Sequence, residues 1–342
     1  GVKCDEITDK GEIILDQTTF YAEMGGQCAD SGTMSFKTTK VQVNHVTKAP
    51  HQQHLHMIVV ESGSVKVGDE LTLYVDTQKR ALIQNNHTAT HLLQKALKNV
   101  LGDHVSQAGS YVDEERLRFD FTHPQKMSDE EIRKVEDEVN AQIFKGIAVD
   151  IKLMSKEEAM QSGAMALFNE KYGDEVRVVS VGDYSKELCG GCHVSNSSQI
   201  GLFKIMSEES VGSGVRRIEA VTSFSAYLAL KKNEETLQTI GDLLKLKNRN
   251  EIVEKVTHYI DEANAVKKER DQYLDKLNSL EAKEKSKNIE EINGVQFLYI
   301  TENKDAQTAK AMTFELRNQL QNGLVLMVSE YEGKVSYFVG LT

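Results

Sequence analysis

The sequence has no run of about 18 apolar residues, which excludes a membrane-spanning helix, and it has no signal-peptide pattern. Cysteine is scarce, because four residues in 342 do not make a disulfide scaffold, so a reducing, cytoplasmic location is expected. The formal net charge of −11 excludes a surface that is basic throughout. It does not exclude a nucleic-acid partner, since binding requires only a local basic stripe.

Short basic stretches do occur, at Leu244–Arg249, at Val215–Arg217 and at Lys231 and Lys232. The commoner role of such charge runs is a solvated face of the protein. The charge pattern alone therefore assigns no nucleic-acid surface.

The chain is long for a single domain, and its residue patterns divide it into four segments. Residues 1–75 alternate apolar and polar positions between Gly, Ser and Asp turns, which predicts a small β-barrel carrying a glycine loop at Glu23–Gly32. Residues 76–222 mix strand and helix patterns and predict an α+β domain. The fold class expected for the whole chain is therefore α+β.

The third segment, residues 223–290, has a helical pattern. Its apolar positions between Ile252 and Leu280 follow steps of four and three, with Arg270 as the one interruption. This heptad spacing predicts a coiled-coil arm. Such an arm, or the C-terminal region after it, is a candidate surface for a homodimer.

The last segment, residues 291–342, has the pattern strand, helix, strand, strand, and predicts part of an α/β domain. The sequence begins with Gly1 rather than Met and stops at Thr342 within a strand pattern. We therefore expect a piece of a longer protein.

A predicted helix from Asp76 to Gly102 carries two histidines, His87 and His91, four residues apart. This spacing places both imidazoles on one face of the helix. Alone it is a weak signal, because such pairs are more often ordinary packing or surface residues. The helix also lacks the Glu that follows the first His in zincin proteases.

A second pair, Cys189 and His193, spans a Gly-Gly turn that is flexible enough to direct both side chains to one point. Together with His87 and His91 it forms a plausible set of Zn²⁺ ligands. The alternative is a redox pair of Cys189 with Cys192, but redox motifs of this kind open a helix, and the following residues predict a loop. Four protein ligands would leave a tetrahedral zinc without an open position.

Small polar residues accompany the candidate zinc ligands. Thr90 lies between the two helical histidines, and Gln107 and Ser110 follow the helix. Their hydroxyl and amide groups are suited to bind a small polar ligand by hydrogen bonds. A capped turn after Gly102 explains them equally well.

Further stretches accompany these motifs in a fixed order: "HTATHLL", "HVSQAGS", "LRFDF", "ALFNEKYGDEVRVVSVGDYSKELCGGCH", "IGLFKI" and "GVRRIEA". Together they resemble the editing domain of alanyl-tRNA synthetases. "LDQTTFYAEMGGQCADSG" resembles the glycine-containing barrel that precedes this domain in the family, and the arm and last segment resemble its C-terminal region. The resemblance covers essentially the whole chain.

Two related groups share the histidine and cysteine spacing. Threonyl-tRNA synthetases have a similar editing fold without the barrel, so the barrel excludes them. Free-standing AlaX-type trans-editing proteins have both parts. The stretch "TTFYAEMGGQ" and the missing initiating Met favour a synthetase fragment, with an AlaX-type protein as the alternative.

The resemblance implies an enzyme of protein synthesis that hydrolyses the ester of mischarged Ser-tRNA(Ala) and Gly-tRNA(Ala). A site shaped for alanine admits glycine and rejects serine poorly, and a second, hydrolytic site is the established solution for synthetases of small amino acids. The class II aminoacylation domain, which uses ATP and Mg²⁺, is absent from the expected fragment, so no charging of tRNA is expected. A second hypothesis is a tRNA-binding module with a structural zinc.

The resemblance also implies roles for individual residues. Zinc would be held by His87, His91, Cys189 and His193, and the amino-acid pocket would be lined by Thr90, Gln107 and Ser110. Gly25 and Gly26 would approach the 3′ end of the tRNA, and Arg216 and Arg217 are candidates for either phosphate contact or packing. A metal-oriented water is the simplest nucleophile, and no general base is evident.

One position departs from the family pattern, which usually has Thr where this chain has Cys192. We interpret Cys192 as a bystander, because Cys189 keeps the family's spacing to His193. Cys4 and Cys28 match no ligand pattern and are expected to be ordinary thiols.

Overall fold

The computed structural model describes residues 3–165 and 174–342. The stretch from residue 166 to residue 173, which belongs to one of the family-like motifs, lies outside them. The chain divides into two compact units, residues 1–235 and residues 236–342. Helices and sheets are mixed within the chain, so the predicted α+β class is confirmed.

The N-terminal segment is built from short strands, as its alternating pattern predicts. Their bounds are β1 Glu6–Ile7, β2 Lys10–Ile14, β3 Gly32–Phe36, β4 Thr39–Lys48, β5 His54–Ser62, β6 Val65–Lys66 and β7 Thr72–Val75. Five of them form an antiparallel sheet in the order β2-β5-β4-β3-β7, and β1 pairs with β6. Phe20, Met34, Val43 and Ile58 form part of the apolar core beside this sheet.

The predicted small barrel is not confirmed as a closed one. Closure requires hydrogen bonds between the two edge strands, and within the described residues β2 and β7 are edges that do not pair with each other. Both edges are short, and the long connection after β2 leaves the sheet. Part of that connection, at Gln27, pairs with Val112 outside the sheet instead.

The next element, α1 (Thr77–Leu101), confirms the helix predicted between Asp76 and Gly102. Asp76 caps its start by accepting hydrogen bonds from the backbone N–H groups of Gln78 and Lys79. Gly102 ends it with a φ of 113°, a conformation that favours glycine. The buried face of α1 carries both apolar side chains and the two histidines.

Two further sheets and two helices complete the part of the first unit that surrounds α1. Their bounds are β8 Gln107–Val112, β9 Leu117–Thr122, α2 Asp129–Phe144, β10 Val149–Ser155, α3 Lys156–Gln161, β11 Glu175–Val181, β12 Ser185–Leu188, β13 Phe203–Gly212 and β14 Val215–Thr222. One sheet has the order β13-β14-β9-β8 and the other β10-β11-β12. Buried side chains of both sheets pack with those of α1 and α2 in one apolar core, so α1 is held from several sides. A separate, smaller cluster joins Ala159 of α3 to Val176, Val178 and Leu188.

Helix α4 (Ser223–Leu243) follows, and the second unit contains α5 Ile252–Lys285, β15 Glu290–Ile292, β16 Val295–Glu302, α6 Ala306–Arg317, β17 Gly323–Tyr331 and β18 Lys334–Leu341. The order strand, helix, strand, strand predicted for its last part is confirmed. α6 packs on the sheet β15-β16-β17-β18 through Met312 and Leu316.

Helix α5 has the length expected of an arm, but its heptad positions are largely exposed. Val266 is 60% and Tyr273 is 61% exposed. Coiled-coil pairing, with the homodimer that it implies, therefore stays a prediction. Across the described ranges, none of the helices combines the length and the apolar character needed to span a membrane.

Candidate metal centre

Two buried segments bring the four candidate zinc ligands together. His87 and His91 lie one turn apart on the buried face of α1, and Cys189 and His193 belong to the turn that follows β12. The ligand atoms of all four lie within 4.8 Å of one another. Helix α1 and the Gly-Gly turn thus direct their four ligand atoms toward one point.

The spacing of the ligand atoms is suited to zinc. Cys189 Sγ lies 3.4 Å from His87 Nε2 and 3.3 Å from His193 Nε2. In a tetrahedral site with Zn–N near 2.1 Å and Zn–S near 2.3 Å, an N and an S ligand are separated by about 3.6 Å. The two imidazole–thiol distances are close to this value, and the ligand atoms of all four residues lie within 4.8 Å of one another, so the set is compatible with Zn²⁺.

Polar groups on the Nδ1 side orient two of the histidines. His87 Nδ1 lies 2.7 Å from Gln27 Oε1, and His193 Nδ1 lies 3.1 Å from Thr88 Oγ1. Zinc-ligating histidines commonly make such outer hydrogen bonds, which leave the Nε2 lone pair for the metal.

The third histidine faces a fully buried carboxyl group. His91 Nδ1 lies 3.5 Å from Glu187 Oε2, and neither atom makes a hydrogen bond within the described residues. Burial raises the pKa of Glu187 to about 8. A metal on the Nε2 side of His91 would strengthen Nδ1–H as a donor toward Glu187 Oε2.

Burial also sets the protonation states of the ligands. It lowers the pKa of His87 to about 4 and holds the pKa values of His91 and His193 well below the usual range, with the positive charge of Arg177 contributing. It raises the pKa of the Cys189 thiol to about 12. The imidazoles are thus already in their ligating form, whereas the thiol releases a proton when a metal binds.

The Gly-Gly turn is braced by an arginine of β11. Arg177 donates hydrogen bonds to the carbonyl oxygens of Cys189 at 2.8 Å and Gly191 at 2.7 Å. The N–H of Gly191 lies 3.4 Å from Cys189 Sγ. These contacts fix the direction of the thiol toward the histidines.

A small cavity adjoins the ligand cluster. Of the residues that the sequence suggested for the ligand pocket, Gly25, Thr90, Gln107 and Ser110 line it. Three of the candidate zinc ligands, His87, His91 and Cys189, line it as well. The structure therefore brings the predicted pocket and most of the predicted metal site to one place.

The hydrogen bonds of the pocket residues leave acceptor capacity toward the cavity. Thr90 Oγ1 donates to the carbonyl oxygen of Asn86 at 2.9 Å, so its lone pairs remain available. Gln107 Nε2 donates to Ser110 Oγ at 3.3 Å. The capped-turn alternative for Gln107 and Ser110 is not what the structure contains, because both lie in β8.

Two family models match the sequence. Residues 176–219, which contain Cys189 and His193, match the model described as "Threonyl and Alanyl tRNA synthetase second additional domain". Residues 3–79 match "tRNA synthetases class II (A)".

Alanine–tRNA ligases are similar to nearly the whole chain. The enzyme of Geobacillus kaustophilus (strain HTA426) is 46% identical over 335 residues, which is 98% of this chain and 38% of the relative. The enzyme of Bacillus cereus (strain ATCC 14579) is 44% identical over 348 residues, which is 100% of this chain and 39% of the relative. The chain belongs to the alanyl-tRNA synthetase family. It spans less than two fifths of the length of these relatives.

The two glycines that the alanyl-tRNA synthetase resemblance singled out have different surroundings. Both have positive φ, 59° at Gly25 and 82° at Gly26. A Cβ on Gly26 would lie 2.4 Å from the carbonyl oxygen of Ser110, whereas one on Gly25 would meet nothing within 4 Å. Gly26 is therefore required for close packing against β8, and Gly25 faces open space beside the cavity.

Arg216 and Arg217 do not belong to the metal centre of this family member. Arg216 binds Glu208 through two hydrogen bonds, one of 2.7 Å, and Arg217 binds Asp120 at 2.7 and 2.8 Å. Both guanidinium groups are thus engaged within their own sheet. This favours packing over phosphate contact.

Cys192 is not one of the four clustered candidate ligands. Its backbone N–H donates to Gln27 Oε1 at 2.8 Å. Cys4 and Cys28 are also free thiols outside the cluster.

Sequence reasoning missed the groups that surround the ligands. They are Gln27, Thr88, Gln94, Arg177 and Glu187. Gln27 is 60 residues away from the histidine that it contacts, and no local spacing signals such a contact. Glu187 offered a clue, because it lies next to the "CGGCH" motif and a carboxylate is a common partner of a zinc-bound histidine.

Proposed function

We propose that this chain carries the editing site of an alanyl-tRNA synthetase, which hydrolyses the ester bond of mischarged Ser-tRNA(Ala) and Gly-tRNA(Ala). The observation that carries the proposal is the convergence of a zinc-type ligand cluster with a small polar cavity. Its partner would be tRNA(Ala), and its location the cytoplasm, where protein synthesis occurs. Aminoacylation with ATP and Mg²⁺ would be an activity of the whole enzyme.

The donor set suits one Zn²⁺, held by His87, His91, Cys189 and His193. When bound, zinc would supply Lewis-acid polarisation and orientation of the ester or of the attacking water. The residues around it have separate tasks. Gln27 and Thr88 contact two of the imidazoles and hold them in place.

Selection among the amino acids follows from the polarity of the cavity. Thr90 and Gln107 offer hydrogen-bonding groups that a serine hydroxyl would satisfy. The methyl group of alanine would occupy the same space without satisfying them, and leaving buried polar groups unpaired is costly. Glycine places no side-chain atom there, so a water can occupy the space and satisfy these groups.

The approach of the tRNA end is suggested by the glycine loop. Gly25 lines the cavity, and the space beside its Cα is open. A side chain at this position would extend into the space through which the ester enters. The loop therefore favours a 3′-terminal adenosine beside Gly25, with Gly26 packed behind it.

A second function is favoured by the number of ligands. Four protein ligands close a tetrahedral zinc site, which is the usual arrangement of a structural zinc. In this case the segment would bind tRNA without hydrolysing it, and the cavity would serve recognition only.

The deciding experiment is deacylation of Ser-tRNA(Ala), Gly-tRNA(Ala) and Ala-tRNA(Ala) by the chain and by its Cys189→Ala variant. Cys4→Ala is the matched control, because Cys4 is an exposed free thiol. We expect hydrolysis of the seryl and glycyl esters, sparing of the alanyl ester, and loss of activity only in Cys189→Ala. Zinc-loaded protein that binds tRNA(Ala) but leaves all three esters intact, even at high protein concentration, would establish the structural-zinc alternative.

A further inference from the structure

The long connection between β2 and β3 contacts the neighbouring sheet through its backbone. Val112 N–H donates to the carbonyl oxygen of Gly26 at 2.8 Å, and Cys28 N–H donates to that of Val112 at 2.9 Å. These two bonds enclose Gln27, whose position is therefore fixed relative to β8. Gln27 is 1% exposed.

The orientation of the Gln27 side-chain amide is determined by a backbone donor. Cys192 N–H lies 2.8 Å from one terminal atom of Gln27, and this atom must be the oxygen, because only oxygen accepts. The same oxygen lies 2.7 Å from His87 Nδ1. His87 must therefore carry its proton on Nδ1, and its Nε2, 3.4 Å from Cys189 Sγ, has the lone pair.

We propose that Gln27 is a positioning residue of the metal centre, which holds His87 in the tautomer that can bind zinc and ties the Cys189–His193 turn to the same oxygen. The N-terminal segment would thus complete a metal site whose four ligands all belong to later parts of the chain. The inference rests on the zinc site of the proposed function, but it does not depend on ester hydrolysis.

The packing around this oxygen supports a specific role. A Cβ on Gly191 would lie 2.7 Å from Gln27 Oε1 and 2.1 Å from His87 Cε1. The turn, the glutamine and the imidazole are therefore packed closely together. Removing this acceptor would leave a buried N–H on His87 unpaired.

The test is zinc affinity of the full chain, measured by competition with a chromophoric chelator. Gln27→Met keeps the length and bulk of the side chain without the acceptor, and we expect zinc binding about 10- to 100-fold weaker, the usual effect of removing an outer hydrogen bond. Gln27→Glu keeps an acceptor and should bind zinc within about threefold of wild type. Gln42→Met, on β4 of the same N-terminal sheet, is the matched control and should also stay within this range.

A second readout is the tautomer of His87, observed by long-range ¹H–¹⁵N correlation in metal-free protein. Wild type and Gln27→Glu should have a protonated Nδ1, and Gln27→Met should lose this preference. An Nε2–H tautomer in wild type would overturn the proposal. So would unchanged zinc affinity in Gln27→Met, or equal weakening in Gln27→Glu.

These outcomes are separable from those of the deacylation experiment. Tight zinc binding that depends on Gln27, without ester hydrolysis, would contradict the proposed function and leave the role of Gln27 intact. Ester hydrolysis by Gln27→Met with unaltered zinc affinity would support the proposed function and contradict the role of Gln27. If Gln27→Met fails to fold, the tautomer of His87 in wild type and the zinc affinity of Gln27→Glu still test the proposal.

Discussion

At the scale of single residues, the two cysteines of the Gly-Gly turn have different environments. Cys189 Sγ faces two imidazole nitrogens, whereas Cys192 lies outside the ligand cluster. We expect Cys192→Ser to retain one zinc per chain after dialysis against a weak chelator, and Cys189→Ser to lose it. Metal content by atomic emission measures both. Loss of zinc from Cys192→Ser together with its retention in Cys189→Ser would show that Cys192, not Cys189, completes the site.

We expect the three histidines of the candidate zinc site to make the metal-free protein sensitive to acid. The pKa of His87 is lowered to about 4, and those of His91 and His193 lie well below normal, because the charged imidazoles would be buried. Below the normal histidine pKa of about 6.5, the unfolded chain binds protons that the folded chain does not. Stability is therefore present above that pH and is lost as the pH falls from there toward 4.

Glu187 acts in the opposite direction, since burial raises its pKa to about 8 and the folded state then binds one extra proton between about 4.5 and 8. Within the candidate zinc site, three histidines against one carboxyl contribute a net dependence of about two protons between pH 6.5 and 4.5. The lowered pKa values of His54, His56 and His123 add to the slope in the same direction. Urea unfolding of metal-free protein at several pH values measures this slope. His87→Gln should reduce it by about one proton, and a stability that is flat across the window would contradict the assignment.

At the scale of elements, the turn after β12 contains two glycines with unequal requirements. A Cβ on Gly191 would lie 2.1 Å from the His87 ring, whereas one on Gly190 would make ordinary contact with Met24 at 3.7 Å. We expect Gly191→Ala to weaken zinc binding at least tenfold, because His87 or the turn must move, and Gly190→Ala to bind zinc like wild type. Isothermal titration with zinc compares the two, and equal affinities would show that the turn adapts freely.

Some elements of the fold could be predicted from the sequence, and others could not. Helix α1 was predictable from end to end, because its cap at Asp76, its periodicity and its terminal Gly102 are all local signals. The histidine pair followed from the helix, and the Cys189–His193 turn followed from its spacing and glycines. The open edges of the N-terminal sheet were not predictable, since strand pairing is decided by contacts between distant residues. Gln27 was missed for the same reason, because its partner is 60 positions away.

At the scale of the whole molecule, the heptad pattern of α5 predicted a helix correctly but not what would cover it. Leu277 and Leu280 are 51% and 65% exposed, so pairing of this helix depends on something other than the packing within its own unit. A periodic pattern reports which face is apolar, and it does not identify the partner.

The division of the chain into two units leads to a prediction about metal removal. All four candidate zinc ligands lie in residues 1–235, and residues 236–342 have a separate apolar core around Leu298, Met312 and Val325. We expect two calorimetric transitions, of which a chelator lowers only the one that belongs to the first unit. Free zinc at 100 times its dissociation constant stabilises a folded state by about 2.7 kcal/mol. For a unit of this size, that stabilisation corresponds to a melting temperature higher by roughly 5 to 11 °C.

The control for this prediction is Cys189→Ala. Its first transition should occur at the lower melting temperature of the metal-free protein, with or without zinc. Its second transition should coincide with that of wild type under both conditions, because Leu298 and its neighbours are unaffected. Calcium, which prefers oxygen ligands, should not replace zinc in raising the first transition. A single transition that shifts as a whole on chelation would mean that the two units unfold cooperatively, and that the zinc centre stabilises the entire chain rather than the part that holds its ligands.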